Sequence, residues 1–149
     1  MRRTRPSSTS SSASCRRALA LAGVVVATAC GGSAGPPSPS EVVRAWSDAI
    51  SADDNEAAGE LFAAGAIIVR GLLPVVLRDR EAAELWNARL ECSGEVVELE
   101  ADGETVSATF VLGDRPSGPC GGRGARATVI FHVREGLIRT WELTRPRSP

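Results

Sequence analysis

The strictest constraint on this chain is a two-residue alternation that runs through its last third. From Glu95 to Thr144 apolar and polar residues exchange places along successive runs, the period of half-buried strands. Val97, Leu99 and Ala101 alternate with Glu98 and Glu100, and Asp102-Gly103 then gives a two-residue hairpin signal. The return run sets Val106, Ala108, Phe110 and Leu112 on one face and Thr105, Ser107 and Thr109 on the other. Further on, Ala127, Val129, Phe131 and Val133 alternate with Arg126, Thr128, Ile130, His132 and Arg134. Glu135-Gly136 turns the chain into a last run, where Leu137, Arg139, Trp141 and Leu143 alternate with Ile138, Thr140 and Glu142. An antiparallel meander with one buried face is the expected result.

A Gly/Pro-rich loop, Gly113–Gly124, interrupts the meander. It lacks the Gly-Lys-Ser/Thr ending of a phosphate cradle, and no helix follows it. Its Cys120 has a partner by topology. In a meander the strand that begins near Cys92 runs out, turns and returns, so the loop comes back to the edge where Cys92 lies. In an oxidising compartment such a pair is bridged. The bridge closes a loop of about 28 residues, worth on the order of 3 kcal/mol. The alternative is two free thiols at one edge. Two cysteines and one distant histidine make a poor ligand set, so no metal is expected, nor any other cofactor.

Before the meander the period becomes helical. Ser38-Pro39-Ser40-Glu41 has the form of a capping box with proline at the first helical position. Val42, Val43, Trp46, Ala49 and Ile50 then line one face of a helix to about Ser51. Asp53-Asp54-Asn55 offers a second cap; Ala57, Ala58, Leu61 and Phe62 share the next helical face, and Gly65 is read as its stop. Ala66–Val69 and Pro74–Leu77 are short strand candidates around a turn at Gly71-Leu72-Leu73. A third helix starts at Asp79, with Ala82, Leu85, Trp86 and Leu90 inward, and ends near Cys92-Ser93-Gly94.

The N-terminus reads as an address. Arg16-Arg17 precede the apolar run Ala18–Ala27, small residues follow, and then comes Cys30. The run is too short to span ~30 Å of hydrocarbon as a helix. Ala27-Thr28-Ala29-Cys30 resembles a bacterial lipobox, which implies a membrane lipid anchor on Cys30; plain secretion with cleavage near Ala29 is the alternative. The expected organisation is a lipoprotein signal over 1–29, a flexible Gly/Pro tether over 30–37, a domain over 38–144 and a frayed tail over 145–149. The expected location is exported, extracytoplasmic and lipid-anchored at the cell membrane of a bacterial envelope.

Charge narrows the partners. Five arginines lie before residue 30; the remainder carries 12 arginines against 18 acids, a net of −6. There is no lysine, and no basic cluster stands outside the signal. Nucleic acid is therefore not an expected partner.

The order helix, helix, short strand pair, helix, curved meander resembles the nuclear transport factor 2-like (SnoaL-like) superfamily. The residues that carry the likeness are Glu41–Trp46, Asp53-Asp54 before Leu61-Phe62-Ala63, Leu77–Ala82, Thr105–Phe110 and above all Val129–Trp141. It covers about residues 40–144 and implies an α+β, cystatin-like roll, in which a cone-shaped antiparallel sheet wraps three helices around an apolar pocket. Trp46, Phe62, Trp86, Phe110, Phe131 and Trp141 are the candidates for that pocket; for Trp46 and Trp86, filling the seam between helices and sheet is the preferred reading. Dimerisation through the sheet is common among such proteins, so a homodimer is a further expectation. Some relatives are isomerases, cyclases or epoxide hydrolases, and fold alone does not choose among them.

The catalytic inventory is thin. With no tyrosine, the phenol-plus-acid oxyanion site of ketosteroid isomerases is absent. His132, Arg126, Arg139 and Glu142 are the candidates, and no inward aspartate accompanies them. The leading expectation is a tethered domain that binds a small apolar ligand or an envelope protein without catalysis. The rival is a small isomerase, cyclase or hydrolase using His132 and a strand arginine. An enzyme requires at least two ionisable groups converging in one concavity.

Overall fold

The computed structural model describes residues 35–144. The signal segment 1–29, Cys30 with the first part of the tether, and the tail 145–149 lie outside the described residues. The chain runs α1 (Pro39–Ser51), α2 (Asn55–Glu60), β1 (Phe62–Val69), β2 (Val75–Leu77), α3 (Arg80–Ala88), β3 (Ser93–Asp102), β4 (Thr105–Gly113), β5 (Arg126–Arg134) and β6 (Leu137–Thr144). The fold is α+β, a curved six-stranded sheet in the order β2-β1-β6-β5-β4-β3 with α1 lying across β3, β4 and β5. All neighbouring strands are antiparallel except β1 and β6, which run parallel.

Each helix starts where the sequence supplies a cap. The Ser38 hydroxyl accepts the Glu41 N–H at 3.3 Å, and the Glu41 carboxylate accepts the Ser38 N–H at 2.7 Å. Those bonds, the hydroxyl's own bond to the carboxylate foremost, hold the Glu41 carboxyl below its ordinary value. Asp54 and Asp79 accept from the N–H three residues on, at 2.9 and 2.8 Å, and so start α2 and α3. The hairpins turn on glycine as well. Gly103 takes φ 59° at the first position of its two-residue loop, and Glu135 and Gly136 both take positive φ between β5 and β6.

Four expectations need correction. The second helix stops at Glu60, not at Gly65. The Leu61 carbonyl accepts the Ile138 N–H at 2.7 Å, so Phe62 already belongs to a strand paired with β6. Gly65, at φ 81°, instead serves an irregularity in β1: between Phe62 and Ile67 the chain advances five residues while β6 advances two, Ile138 to Thr140. Second, α3 buries Ala83 and Asn87 while Leu85 is exposed; a polar residue on the buried stripe disguised its position.

Third, β3 begins at Ser93, ahead of Glu95, and carries a bulge. Val96 pairs with Phe110 and Glu98 with Thr109, which leaves Val97 the unpaired extra residue, outward, while Val96 and Leu99 pack on the core. Fourth, β6 bulges at Arg139, since Val133 pairs with Ile138 and His132 with Thr140. Ile138 and Trp141 thus both face inward, three residues apart, where strict alternation separates them. On β4 and β5 the expected faces hold: Val106, Ala108, Phe110, Val129, Phe131 and Val133 are buried.

Candidate functional site

The concave side of the sheet is packed with aromatic and aliphatic side chains. All six aromatic candidates belong to one edge-to-face network. Trp46 meets Phe110, Phe131 and Trp141 with ring centroids 5.9, 5.4 and 6.3 Å apart, and Trp86 meets Phe62 and Trp141 at 5.6 and 5.2 Å. Three of the six are packing alone: Phe62, Trp86 and Phe131 do not reach the open space. Trp46, Phe110 and Trp141 form its floor, and Ile50, Leu90, Leu112, Ala127, Val129 and Leu143 form its walls. The cavity holds about 130 Å³ and opens where β6 ends and β3 and β5 begin.

Two polar contacts fix its floor. Trp46 Nε1–H donates to Asn87 Oδ1 at 3.0 Å, and Asn87 Nδ2–H donates to the Ala83 carbonyl at 2.9 Å, so a fully buried amide positions the indole from α3. Ser47, one residue on, donates its hydroxyl to the Gly94 carbonyl at 2.6 Å and binds α1 to the start of β3. The buried Nε1–H of Trp141 and Nε of Arg139 have no acceptor among the described residues. Among the described residues, charge reaches the cavity only through Arg70 and Glu91, both exposed.

The four ionisable candidates do not converge there. His132 lies on the convex side, half exposed, with Nε2 3.3 Å from a Glu104 carboxylate oxygen. Arg126 pairs with Glu98 at 3.2 Å across exposed positions of β5 and β3. Arg139 reaches back to Glu135 at 3.2 Å, and Glu142 is exposed on β6. None of them lines the cavity. Among the described residues no three His, Cys, Asp or Glu side chains gather as metal ligands would.

The glycine-rich loop is held twice. Cys92 and Cys120 form a disulfide with Cα atoms 4.7 Å apart, at the sheet edge where the topology brings them together. The second hold has no signal in the sequence. The Arg115 side chain, 2% exposed, donates to Asp53 Oδ1 at 2.5 Å, to Asn55 Oδ1 at 2.7 Å and to the Asn87 and Leu90 carbonyls at 2.8 Å each. One guanidinium therefore ties the loop to the α1–α2 junction and to the end of α3. Burial pushes the Asp53 carboxyl up, but hydrogen bonds from Ser117 and Arg115, with the charge of Arg115, outweigh it and hold the group below its ordinary value. Asp53 itself sits at φ 58°, in the left-handed region that aspartate tolerates better than most residues.

No protein-family model matches the chain, and no curated protein matches it. Solved structures do. A candidate polyketide cyclase from Sinorhizobium meliloti is 21% identical, with a TM-score of 0.57 over 69% of this chain and 93% of that one. A nuclear transport factor 2-like protein of unknown function from Cytophaga hutchinsonii is 12% identical, with a TM-score of 0.59 over 72% and 88%. A protein with a ketosteroid isomerase-like fold from Catenulispora acidiphila, solved in complex with trimethylamine, is 22% identical, with a TM-score of 0.57 over 72% and 87%. At such identities the likeness bears on architecture and not on chemistry. Three helices against a curved sheet, an apolar cavity in its concave side and these matches together make this the nuclear transport factor 2-like, or SnoaL-like, fold.

Proposed function

We propose that this is an exported domain, lipid-anchored through Cys30, whose cone binds a small apolar molecule without transforming it. The observation that carries the reading is the composition of the cavity wall: mostly aromatic and aliphatic side chains, with Ser47, Cys92 and Ser93 among them and charge confined to the exposed Arg70 and Glu91. Apolar cavities of about 150 Å³ stay dry and take up benzene-sized guests. A space of about 130 Å³ is in that range, large enough for a small ring or the end of a longer chain.

The test uses the tryptophans on the cavity floor as reporters. Benzene or toluene titrated into the protein is expected to shift tryptophan emission saturably, because Trp46 and Trp141 border the space. Ala127→Leu, which projects a larger apolar side chain from the wall, is expected to weaken that response about tenfold or more. An equal response in the two proteins removes the cavity as the binding site. For the anchor, labelled palmitate is expected in the wild type and not in Cys30→Ser; label in both or in neither rejects it.

A further inference from the structure

The cavity leaves one large feature unused, the β1–β2 hairpin. Its connection, Arg70-Gly71-Leu72-Leu73-Pro74, carries two leucines whose side chains touch almost nothing: Leu72 is 90% exposed and Leu73 82%. Behind them the cross-strand partners Ile67 and Val76, with Val75, are also exposed. Scattered exposed leucines are ordinary, but a contiguous apolar patch ending in two adjacent leucines marks a contact surface. These residues span the hairpin's connection and both its strands, of which β2, at the sheet edge, is three residues long.

Charge says what covers it. From Leu61 to Arg78 the chain contains no acidic residue, although it has 18 overall. Arg70 stands at the base of the tip, and neither it nor Arg78 joins an ion pair among the described residues. Because β1 runs parallel to β6, with Val69 opposite Glu142, the tip lies at the end of the sheet where β6 finishes.

We propose that the β1–β2 tip is a membrane-inserting loop: Leu72 and Leu73 enter the acyl region of a lipid surface that carries anionic headgroups, and Arg70 meets the phosphates. Leucines at the apex with arginine at the base match the layering of a membrane interface, apolar groups innermost and cations at headgroup level. The same Arg70 lines the cavity's opening, so insertion brings that opening to the lipid. Tip insertion needs no ligand in the cavity, and its failure leaves the cavity reading untouched.

Leu72→Cys in the full chain, labelled with an environment-sensitive fluorophore, reports the tip's surroundings; Glu100→Cys on β3 is the comparison, and the unsubstituted chain gives the labelling baseline. With vesicles of mixed neutral and anionic phospholipid, emission at position 72 is expected to rise several-fold and to be quenched by acyl-brominated lipid, while position 100 stays unchanged. Leu73→Ser in the labelled chain, with Cys30→Ser in both so that no lipid anchor contributes, is expected to lower vesicle partition on the order of tenfold. Equal responses at the two positions overturn the proposal. So does protection of position 72 without vesicles, accompanied by a doubled mass in light scattering, which assigns the patch to a second copy of the chain.

Discussion

Removing the Cys92–Cys120 bridge tests how the glycine-rich loop is stabilised. The bridge closes 28 residues. In the chain-entropy model that restriction of the unfolded chain is worth about 3.5 kcal/mol at 25 °C. For a domain of about 110 residues, the unfolding entropy converts this into a fall in Tm of about 15 °C. The effect should fall on the unfolded state, because Arg115 holds the same loop in the folded one through Asp53, Asn55 and the Asn87 and Leu90 carbonyls. Cys92→Ala with Cys120→Ala is therefore expected to fold, with unchanged near-ultraviolet dichroism from its buried tryptophans, and to lose about 3.5 kcal/mol in urea titration. Two results refute the reasoning. A loss below about 1 kcal/mol means that the bridge restrains little in the unfolded chain. A loss of the native spectrum means that Arg115 does not hold the loop unaided.

Three further expectations follow from neighbouring contacts. Asn87→Ala leaves the Trp46 indole N–H buried without its acceptor and is expected to cost about 1–3 kcal/mol, read as a shift of the urea midpoint at constant slope. Gly59→Ala raises intrinsic helix propensity, yet a Cβ there falls 2.6 Å from Glu84 Cγ and 3.1 Å from the Glu84 N; a net loss of about 1 kcal/mol is expected, and a gain disproves the tight α2–α3 contact. Asp53 binds its proton less readily folded than unfolded, so it contributes stability above its unfolded value, near pH 4, that is lost as pH falls through the folded one. Urea midpoints measured from pH 6 downward should decline in that acid range, and less steeply in Asp53→Asn; identical slopes exclude this assignment.

What could be read from the sequence depended on whether a contact leaves a periodic trace. The faces of β4 and β5 and the caps Ser38, Asp54 and Asp79 follow from side-chain alternation and local hydrogen-bond chemistry, which neighbouring residues determine. The Cys92–Cys120 bridge follows from meander topology alone. The bulges at Val97 and Arg139 do not, because each inserts one residue into a run whose composition still alternates. Asn87 is not among the apolar residues that mark the inward face of α3, and only its partner on α1, 41 positions earlier, makes it part of the core. Arg115 sits in a loop with no period at all, and its acceptors lie 25 to 62 residues away. For the cavity, the sequence named the right chemical class of residue but not which aromatics border open space; that depends on how far the helices sink into the cone.

The parallel pairing of β1 with β6 also has a consequence in time. β1 lies near the start of the folded domain, and its long-range partner is the last strand to be synthesised. Until residues 137–144 emerge, β1 and β2 have each other and no other sheet neighbour, and α2 and α3 have only a fragment to pack on. A nascent chain thus cannot close its cone early, and the N-terminal half waits, exposed, for the C-terminal meander to supply its edge. Contacts at such separation make folding slow for a chain this short. Completion of the fold is thereby tied to arrival of its final strand.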